Sequence, residues 1–237
     1  MDSLSSTLHW VYVAIMFASA LWFYRLSRDP RDVPAYKYLI HIFVVVWSGL
    51  AYMALALGQG MVDVDGRTVY YARYVDWVVS TPLLLLSLVL TGKFLAKVEG
   101  PITAGLLGSQ VIMIVTGLIA ELSPLDQQWY WYLAGCVALL IVLALMWGDL
   151  QEKAKAQGEP IATVYRKSAI FLSVQWFAYP LIWLVGTPGL GWIDQFGTTV
   201  FFIVLPIISK SGFALYNLGL LREVAPRLDD RPQMSVA

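Results

Sequence analysis

A chain of 237 residues that is 59% hydrophobic and only 14% charged is too apolar for an ordinary soluble domain, in which about 25% of residues are charged. Its 16 basic and 16 acidic residues cancel, which argues against a nucleic-acid partner. The composition therefore predicts an integral membrane protein, and its single cysteine, Cys136, cannot form an internal disulfide.

Apolar runs of about 20 residues, the length a helix needs to cross a bilayer, recur seven times along the chain. The N-terminal sequence MDSLSSTLHW lacks the basic region and cleavage site of a signal peptide, so the first run is expected to stay as a helix. We expect an all-α bundle of seven transmembrane helices over residues 1–225 and a short, disordered cytoplasmic tail over 226–237. The predicted spans cover residues 6–25, 37–59, 70–92, 101–122, 128–148, 163–186 and 195–220.

Basic residues are concentrated in the first, third and fifth connecting loops and in the tail. The opposite loops carry Arg67 alone, together with Asp63 and Asp65. The positive-inside rule therefore predicts an external N-terminus and a cytoplasmic C-terminus, in the cell (plasma) membrane. The basic residues on the predicted cytoplasmic side are Arg25, Arg28, Arg31, Lys37, Lys93, Lys97, Lys153, Lys155, Arg166, Lys167, Arg222, Arg227 and Arg231.

The two basic residues that remain, Arg73 and Lys210, lie well inside predicted spans. A charge near the middle of a bilayer costs about 3 kcal/mol on insertion scales, so it normally faces the bundle interior and a partner. Lys210, in FFIVLPIISKSGFALYN, lies too deep to reach water. It could simply pair with a carboxylate. A desolvated lysine amine can also condense with an aldehyde to form a Schiff base, which needs an anion when protonated.

The stretch ARYVDWVVSTPLLLLS in the third predicted span supplies that anion. Asp76 is the one carboxylate deep in a span, whereas Glu121 and Asp149 fall near span ends, where a solvated position is expected. Residues three or four apart share a helix face, so Arg73 is expected on the outer side of Asp76 and Ser80 one turn deeper, able to hydrogen-bond the carboxylate. A purely structural arginine–aspartate pair would leave the lysine without a function.

The motifs R-Y-x-D-W, S-T-P-L-L-L-L and W-x-x-Y-P-x-x-W, with a lysine in the seventh span, resemble the microbial rhodopsins over essentially the whole chain. The resemblance implies all-trans retinal bound covalently to Lys210 as a protonated Schiff base, no metal, and no enzymatic reaction. It also implies a counterion complex of Asp76, Arg73, Tyr52 and Ser80. The retinal pocket that the resemblance implies consists of Trp77, Trp176, Tyr179, Pro180, Trp183 and Pro206.

The sequence lacks three features of the outward proton pumps in this family. Pro206 stands where those pumps carry a second aspartate, Ser87 replaces the cytoplasmic proton donor, and Pro188 and Thr198 replace the external release glutamates. Asp76 fills the site where a chloride pump would hold its anion. With HWVYVA and WSGLAYMA in the first two spans, the chain most closely resembles Anabaena sensory rhodopsin and the xenorhodopsins, a clade that includes photochromic sensors and inward proton pumps.

Inward pumps are expected to have a cytoplasmic proton acceptor, often an aspartate seven residues after the lysine. Asn217 occupies that position and cannot take a proton near neutral pH. His41 is a candidate relay, since an imidazole has an ordinary pKa of about 6.5; it could equally be an interfacial histidine bonded to a neighbouring helix. The predicted cytoplasmic proton path contains His41, Ser87 and Asn217, and His9 is expected to be structural.

The sequence therefore favours a light-driven inward proton pump, in which the proton passes from the Schiff base to the cytoplasmic side. The alternative is a photochromic sensor that signals to a soluble cytoplasmic partner, which the basic tail around Arg222, Arg227 and Arg231 could bind. Besides the lipid bilayer and the transported proton, the resemblance implies a homo-oligomer, either a trimer or a dimer.

Overall fold

Seven helical spans make up the fold, in a computed structural model that describes residues 3–97 and 100–229. All seven are long and apolar enough to cross a membrane, which confirms the predicted all-α seven-helix architecture within those residues. The helices are α1 Ser3–Ser27, α2 Ala35–Ala56, α3 Tyr71–Gly92, α4 Gly100–Leu122, α5 Gln128–Leu145, α6 Gln151–Lys155, α7 Glu159–Val185, α8 Gln195–Pro206, α9 Phe213–Val224 and α10 Pro226–Asp229.

The fifth and seventh spans are composite. A π-helical segment, Met146–Leu150, joins α5 to α6, and a second one, Ile207–Gly212, joins α8 to α9. Both spans extend beyond their predicted ends at residues 148 and 220. The span ends were predicted from where the apolar runs stop. The fifth span continues as a helix through the polar sequence QEKAK, because backbone hydrogen bonding does not depend on side-chain polarity.

A short β-hairpin connects the second and third spans. Strand β1, Val62–Val64, pairs antiparallel with β2, Arg67–Val69, across a turn in which Asp65 and Gly66 have φ values of 51° and 76°. Positive φ at both positions is characteristic of the type I′ turn, for which Asp-Gly is a preferred sequence. A plain loop was predicted here, although the Asp-Gly pair between VDV and RTV is a hairpin signal.

Polarity is distributed as expected for a bundle surrounded by lipid. Large apolar side chains such as Leu21, Leu39 and Val174 are exposed on the outside, whereas many polar side chains are buried inside the bundle. A soluble protein of this size would not expose so much apolar surface, so the outer face requires an apolar environment.

Two predictions about charged residues near the span ends are wrong. Lys37, counted among the basic residues of the first loop, lies in α2 and is fully buried. Glu121, expected to be solvated, is only 6% exposed and accepts a hydrogen bond from the Tyr74 hydroxyl. Asp149 is exposed, as expected. Proximity to a helix end does not specify which face of the helix a residue occupies.

The C-terminal end of the seventh span is tied to the first loop. Arg222 donates hydrogen bonds to Leu26 O at 3.0 Å and to the Tyr38 hydroxyl at 2.9 Å, and it forms an ion pair with Asp29 at 3.1 Å. Arg222 is therefore engaged within the bundle. Residues 226–229 of the tail predicted to be disordered form a short helix, with Arg227 exposed, while Arg231 and the rest of the tail lie outside the described residues.

Candidate functional site

The seventh span positions Lys210 just after a proline. Pro206 has no amide hydrogen, so it cannot donate the helical hydrogen bond to the carbonyl of Phe202, four residues earlier. The Tyr52 hydroxyl of the second span donates to that carbonyl instead, at 2.6 Å. Lys210 follows within the π-helical segment Ile207–Gly212. A bond between two spans thus compensates for the break in the helix next to the lysine.

Lys210 and Asp76 form a fully buried ion pair, the central feature of the site. Ser48 completes it: its hydroxyl accepts from Lys210 Nζ at 2.8 Å and donates to Asp76 Oδ2 at 2.9 Å. The Tyr12 hydroxyl also lies 2.5 Å from Ser48 Oγ. Because Ser48 has one proton to donate, and it goes to Asp76, the tyrosine is the donor in that contact. The structure thus brings together the two residues singled out from the sequence.

Ser48 and Tyr12 were missed by the sequence analysis. Ser48 lies four residues before Tyr52 in WSGLAYMA, and residues at that spacing share a helix face, so the motif contained a usable signal. Tyr12, within HWVYVA, carried no comparable signal, because nothing in its own helix indicates which side faces the second span.

The other predicted members of the counterion complex do not touch Asp76. Arg73 donates to Thr199 Oγ1 at 3.1 Å and lies 4.3 Å above the Tyr70 ring, and it makes no ion pair with Asp76 in the described part of the chain. Neither Ser80 Oγ nor Asp76 Oδ1 has a hydrogen-bond partner among residues 3–97 and 100–229. The expected Ser80–Asp76 bond is therefore not formed.

A cleft lined mainly by aromatic and aliphatic side chains lies beside this centre, and such a lining is usual for small-molecule sites. Of the predicted pocket residues, Trp77, Trp176, Tyr179, Pro180 and Trp183 line it. Pro206 is buried but is not among the described lining residues. Residues that the sequence analysis missed include Tyr74, Thr81, Gln110, Met113, Ile114, Gly117, Tyr132, Gly135, Cys136, Leu139 and Phe202.

Flat rings form the walls of the cleft. The Trp77 ring meets the Tyr179 ring edge-on at 5.2 Å, and Tyr132 stacks on Trp183 at 4.8 Å. The Tyr179 hydroxyl lies 3.0 Å from Ser209 Oγ, so the cleft is linked to the residue that precedes the central lysine. The fourth and fifth spans contribute half of the residues that line the cleft. Neither span contains a sequence motif that would have indicated this.

A second buried polar group, which we call the His41 cluster, joins the second, third, sixth and seventh spans. His41 Nε2 lies 3.1 Å from Ser87 Oγ, and the Asn217 amide donates to Thr91 Oγ1 at 3.1 Å and to Ser168 Oγ at 2.9 Å. The three residues of the predicted proton path therefore lie in one cluster. Its members are Lys37, His41, Ser87, Thr91, Ser168 and Asn217.

A hydrophobic layer of Val44, Leu84 and Phe213 separates the His41 cluster from Lys210 and Asp76. All three residues are fully buried and belong to the same apolar cluster. They lie on three different spans, and on each span the apolar residue stands in the sequence between a residue of one polar centre and a residue of the other. Apolar side chains do not carry protons, so these three residues form an apolar barrier on the second, third and seventh spans.

The opposite end of the bundle contains a further polar chain. The Trp183 indole donates to the Tyr74 hydroxyl at 3.2 Å, and that hydroxyl donates to Glu121. Nearby, His9 Nδ1 bonds to the Ser5 carbonyl at 2.6 Å, and the His9 ring packs against Tyr52 and Tyr70. The surroundings of His9 agree with the expected structural function, which stays a prediction.

Known proteins resemble this chain both in sequence and in fold. A family model described as bacteriorhodopsin-like protein matches residues 3–224. Archaerhodopsin-3 of Halorubrum sodomense is 34% identical over 218 residues, which cover 88% of this chain and 83% of that protein. The thermophilic rhodopsin from Rubrobacter xylanophilus has a TM-score of 0.88 at 29% identity and covers 96% of this chain and 100% of its own. The light-driven proton pump of Coccomyxa subellipsoidea has a TM-score of 0.84 at 28% identity, with coverages of 92% and 97%.

Proposed function

The chain belongs to the bacteriorhodopsin-like family of microbial rhodopsins, multi-pass membrane proteins that bind retinal through a Schiff base, and we propose that it is a light-driven inward proton pump. Within that family we assign it to the clade of xenorhodopsins and Anabaena sensory rhodopsin, on the combination of Asp76, Ser87 and Pro206. The proposal places its N-terminus outside and its C-terminus in the cytoplasm of a cell membrane, in a trimer or dimer.

The residues present fit a retinal attached to Lys210. The amine is buried, its anion Asp76 is in contact, and an apolar, aromatic cleft lies alongside. Bound all-trans retinal would supply a light-driven isomerisation that changes the environment of the proton on the lysine nitrogen. A protonated Schiff-base nitrogen has a single N–H, so it can keep only one of the two bonds that the free amine makes, to Asp76 or to Ser48.

The absence of a carboxylate from the His41 cluster, among the residues that the structure describes, supports the proposed inward direction of transport. An outward pump needs a group on the cytoplasmic side that returns a proton to the lysine nitrogen, and Ser87 cannot supply one near neutral pH. His41, bonded to Ser87, can accept a proton instead. We therefore assign proton release to the His41 side and proton uptake to the Arg73 side.

Illumination of cells that express the protein tests this assignment. In a weakly buffered suspension supplied with retinal, light should raise the external pH, because protons enter the cells, and a protonophore should abolish the change. Cells expressing Lys210→Ala serve as the control and should show neither a visible absorption band nor a pH response.

Two results would contradict the inward pump. Acidification of the medium would show outward transport. A coloured protein whose illumination leaves the external pH unchanged would favour the alternative, a photochromic sensor with a soluble cytoplasmic partner. Such a partner would contact Arg227 rather than Arg222, which is engaged with the first loop.

A further inference from the structure

Lys37 is a fully buried lysine without a carboxylate partner in the described part of the chain. Its Nζ donates to the Ser87 carbonyl at 2.5 Å and to Thr91 Oγ1 at 2.7 Å, and it lies 3.4 Å from Ser87 Oγ. Lys210, in contrast, is buried against Asp76. The groups that bond Lys37 are thus all uncharged.

An isolated ammonium is costly in an apolar interior, and loss of its proton removes that cost. An uncharged amine has two N–H donors and one lone pair. The contacts of Lys37 match this pattern, with two short bonds to acceptors and one longer contact to a hydroxyl that can itself donate. The geometry therefore suits an amine that can accept a proton.

Ser87 Oγ lies between the two basic groups of the cluster. His41 Nε2 is 3.1 Å from it and Lys37 Nζ is 3.4 Å from it. Lys37 and His41 are four residues apart on the second span and therefore share a helix face. A hydroxyl can accept one proton while it donates another, so Ser87 can connect the imidazole to the amine.

We propose that Lys37 is a proton-carrying residue of the His41 cluster, a proposal that rests on the light-driven proton transport inferred above. A protonated His41 gives its proton to Ser87 Oγ, and the Ser87 hydroxyl proton passes to Lys37 Nζ, so one proton moves and no bond between heavy atoms changes. The lysine then carries the positive charge until it releases the proton towards the nearer end of the bundle.

Time-resolved absorption of the purified, retinal-loaded full chain tests this proposal. Lys37→Met removes the proton site at nearly constant length and should slow proton exchange at the Schiff base by about 100-fold, the lower end of what a positioned proton-transfer group contributes. Azide, a small weak base, should restore the rate. Lys37→Arg, which cannot be deprotonated in a protein, should remain slow. Lys155→Met, which removes an exposed lysine paired with Glu152, should leave the rate unchanged.

An unchanged rate in Lys37→Met would overturn the proposal. So would a normal rate in Lys37→Arg, because a fixed charge would then suffice, or a slow Lys37→Met protein that azide does not rescue. If Lys37→Met forms no coloured protein, Lys37→Gln, which keeps two N–H donors, carries the same test. The rate of proton exchange at the Schiff base can be measured whichever way the proton is transported. An outward or absent pH response in cells would therefore refute the proposed function without bearing on the proposal for Lys37.

Discussion

Ser48 holds the most connected position in the site, because one hydroxyl meets three polar groups. It contacts Lys210, Asp76 and Tyr12, all within the buried interior. Its bond to Asp76 withdraws electron density from the carboxylate and so weakens the attraction between the carboxylate and the proton on the lysine nitrogen. The strength with which Asp76 attracts the charge on Lys210 is therefore set in part by a neutral residue.

Replacement of that hydroxyl should change both colour and stability. In the retinal-loaded protein, Ser48→Ala should shift the visible band to shorter wavelength, since Asp76 then localises the positive charge more strongly. It should also cost about 1.5–3 kcal/mol of unfolding free energy, as expected for a hydrogen bond to a charged group. Absorption spectra and thermal unfolding measure the two effects. Ser48→Thr keeps the hydroxyl and should behave like the unmodified protein; an unchanged band in Ser48→Ala would contradict this prediction.

At the scale of the helix, the seventh span depends on the second for one of its backbone hydrogen bonds. Pro206 leaves the Phe202 carbonyl without its helical donor, and Tyr52 supplies the replacement. The family resemblance predicted Tyr52 near the counterion complex; its ring lies 6.0 Å from Lys210 Nζ, and its hydroxyl bonds to the backbone. Tyr52 therefore supports the helix that positions Lys210.

A double-mutant cycle measures this support. Tyr52→Phe should cost about 1–3 kcal/mol of unfolding free energy, because a buried carbonyl loses its partner. Pro206→Ala restores an amide donor, so in that background the cost of Tyr52→Phe should fall by about 1 kcal/mol. Thermal unfolding of the four proteins provides the comparison. Additive costs would show that Tyr52 and Pro206 act independently.

For the whole molecule, the arrangement of two polar centres with an apolar layer between them is the feature on which the proposed transport depends. Leu84 lies on the same face of the third span as Ser80 and Ser87, whereas Leu85, equally buried, lies to one side. A proton that leaves Lys210 for the His41 cluster must cross the layer. In the proposed pump, we therefore expect hydration of this layer to limit the rate at which a proton crosses it.

Leu84→Ala should make that crossing easier. The substitution leaves a cavity that adjoins polar groups on both sides and can admit water. Schiff-base proton exchange should therefore accelerate, while the visible band hardly changes. Leu85→Ala is the matched control and should lose a similar 2–5 kcal/mol of stability, roughly the usual cost of such truncations, without faster exchange. Equal kinetics in the two variants would show that the layer does not limit proton movement.

The sequence by itself determined the seven spans and the pairing of Lys210 with Asp76. Span length depends only on apolar runs and bilayer thickness, and a deep charge requires a partner wherever the helices meet. The first constraint acts within one span, and the second leaves only one possible pair of residues, so both can be inferred from the sequence alone. The hairpin and Ser48 were also within reach, through the Asp-Gly turn and the spacing to Tyr52.

Only the tertiary structure decided the contacts that distinguish this site: Ser48 rather than Ser80 on Asp76, Arg73 on Thr199, and Tyr52 on a backbone carbonyl. It also moved Lys37 from a presumed loop into a buried cluster. Each contact joins helices remote in sequence and depends on how far each helix is rotated about its axis. Packing against neighbouring helices sets that rotation, whereas the apolar pattern of a single span leaves it open.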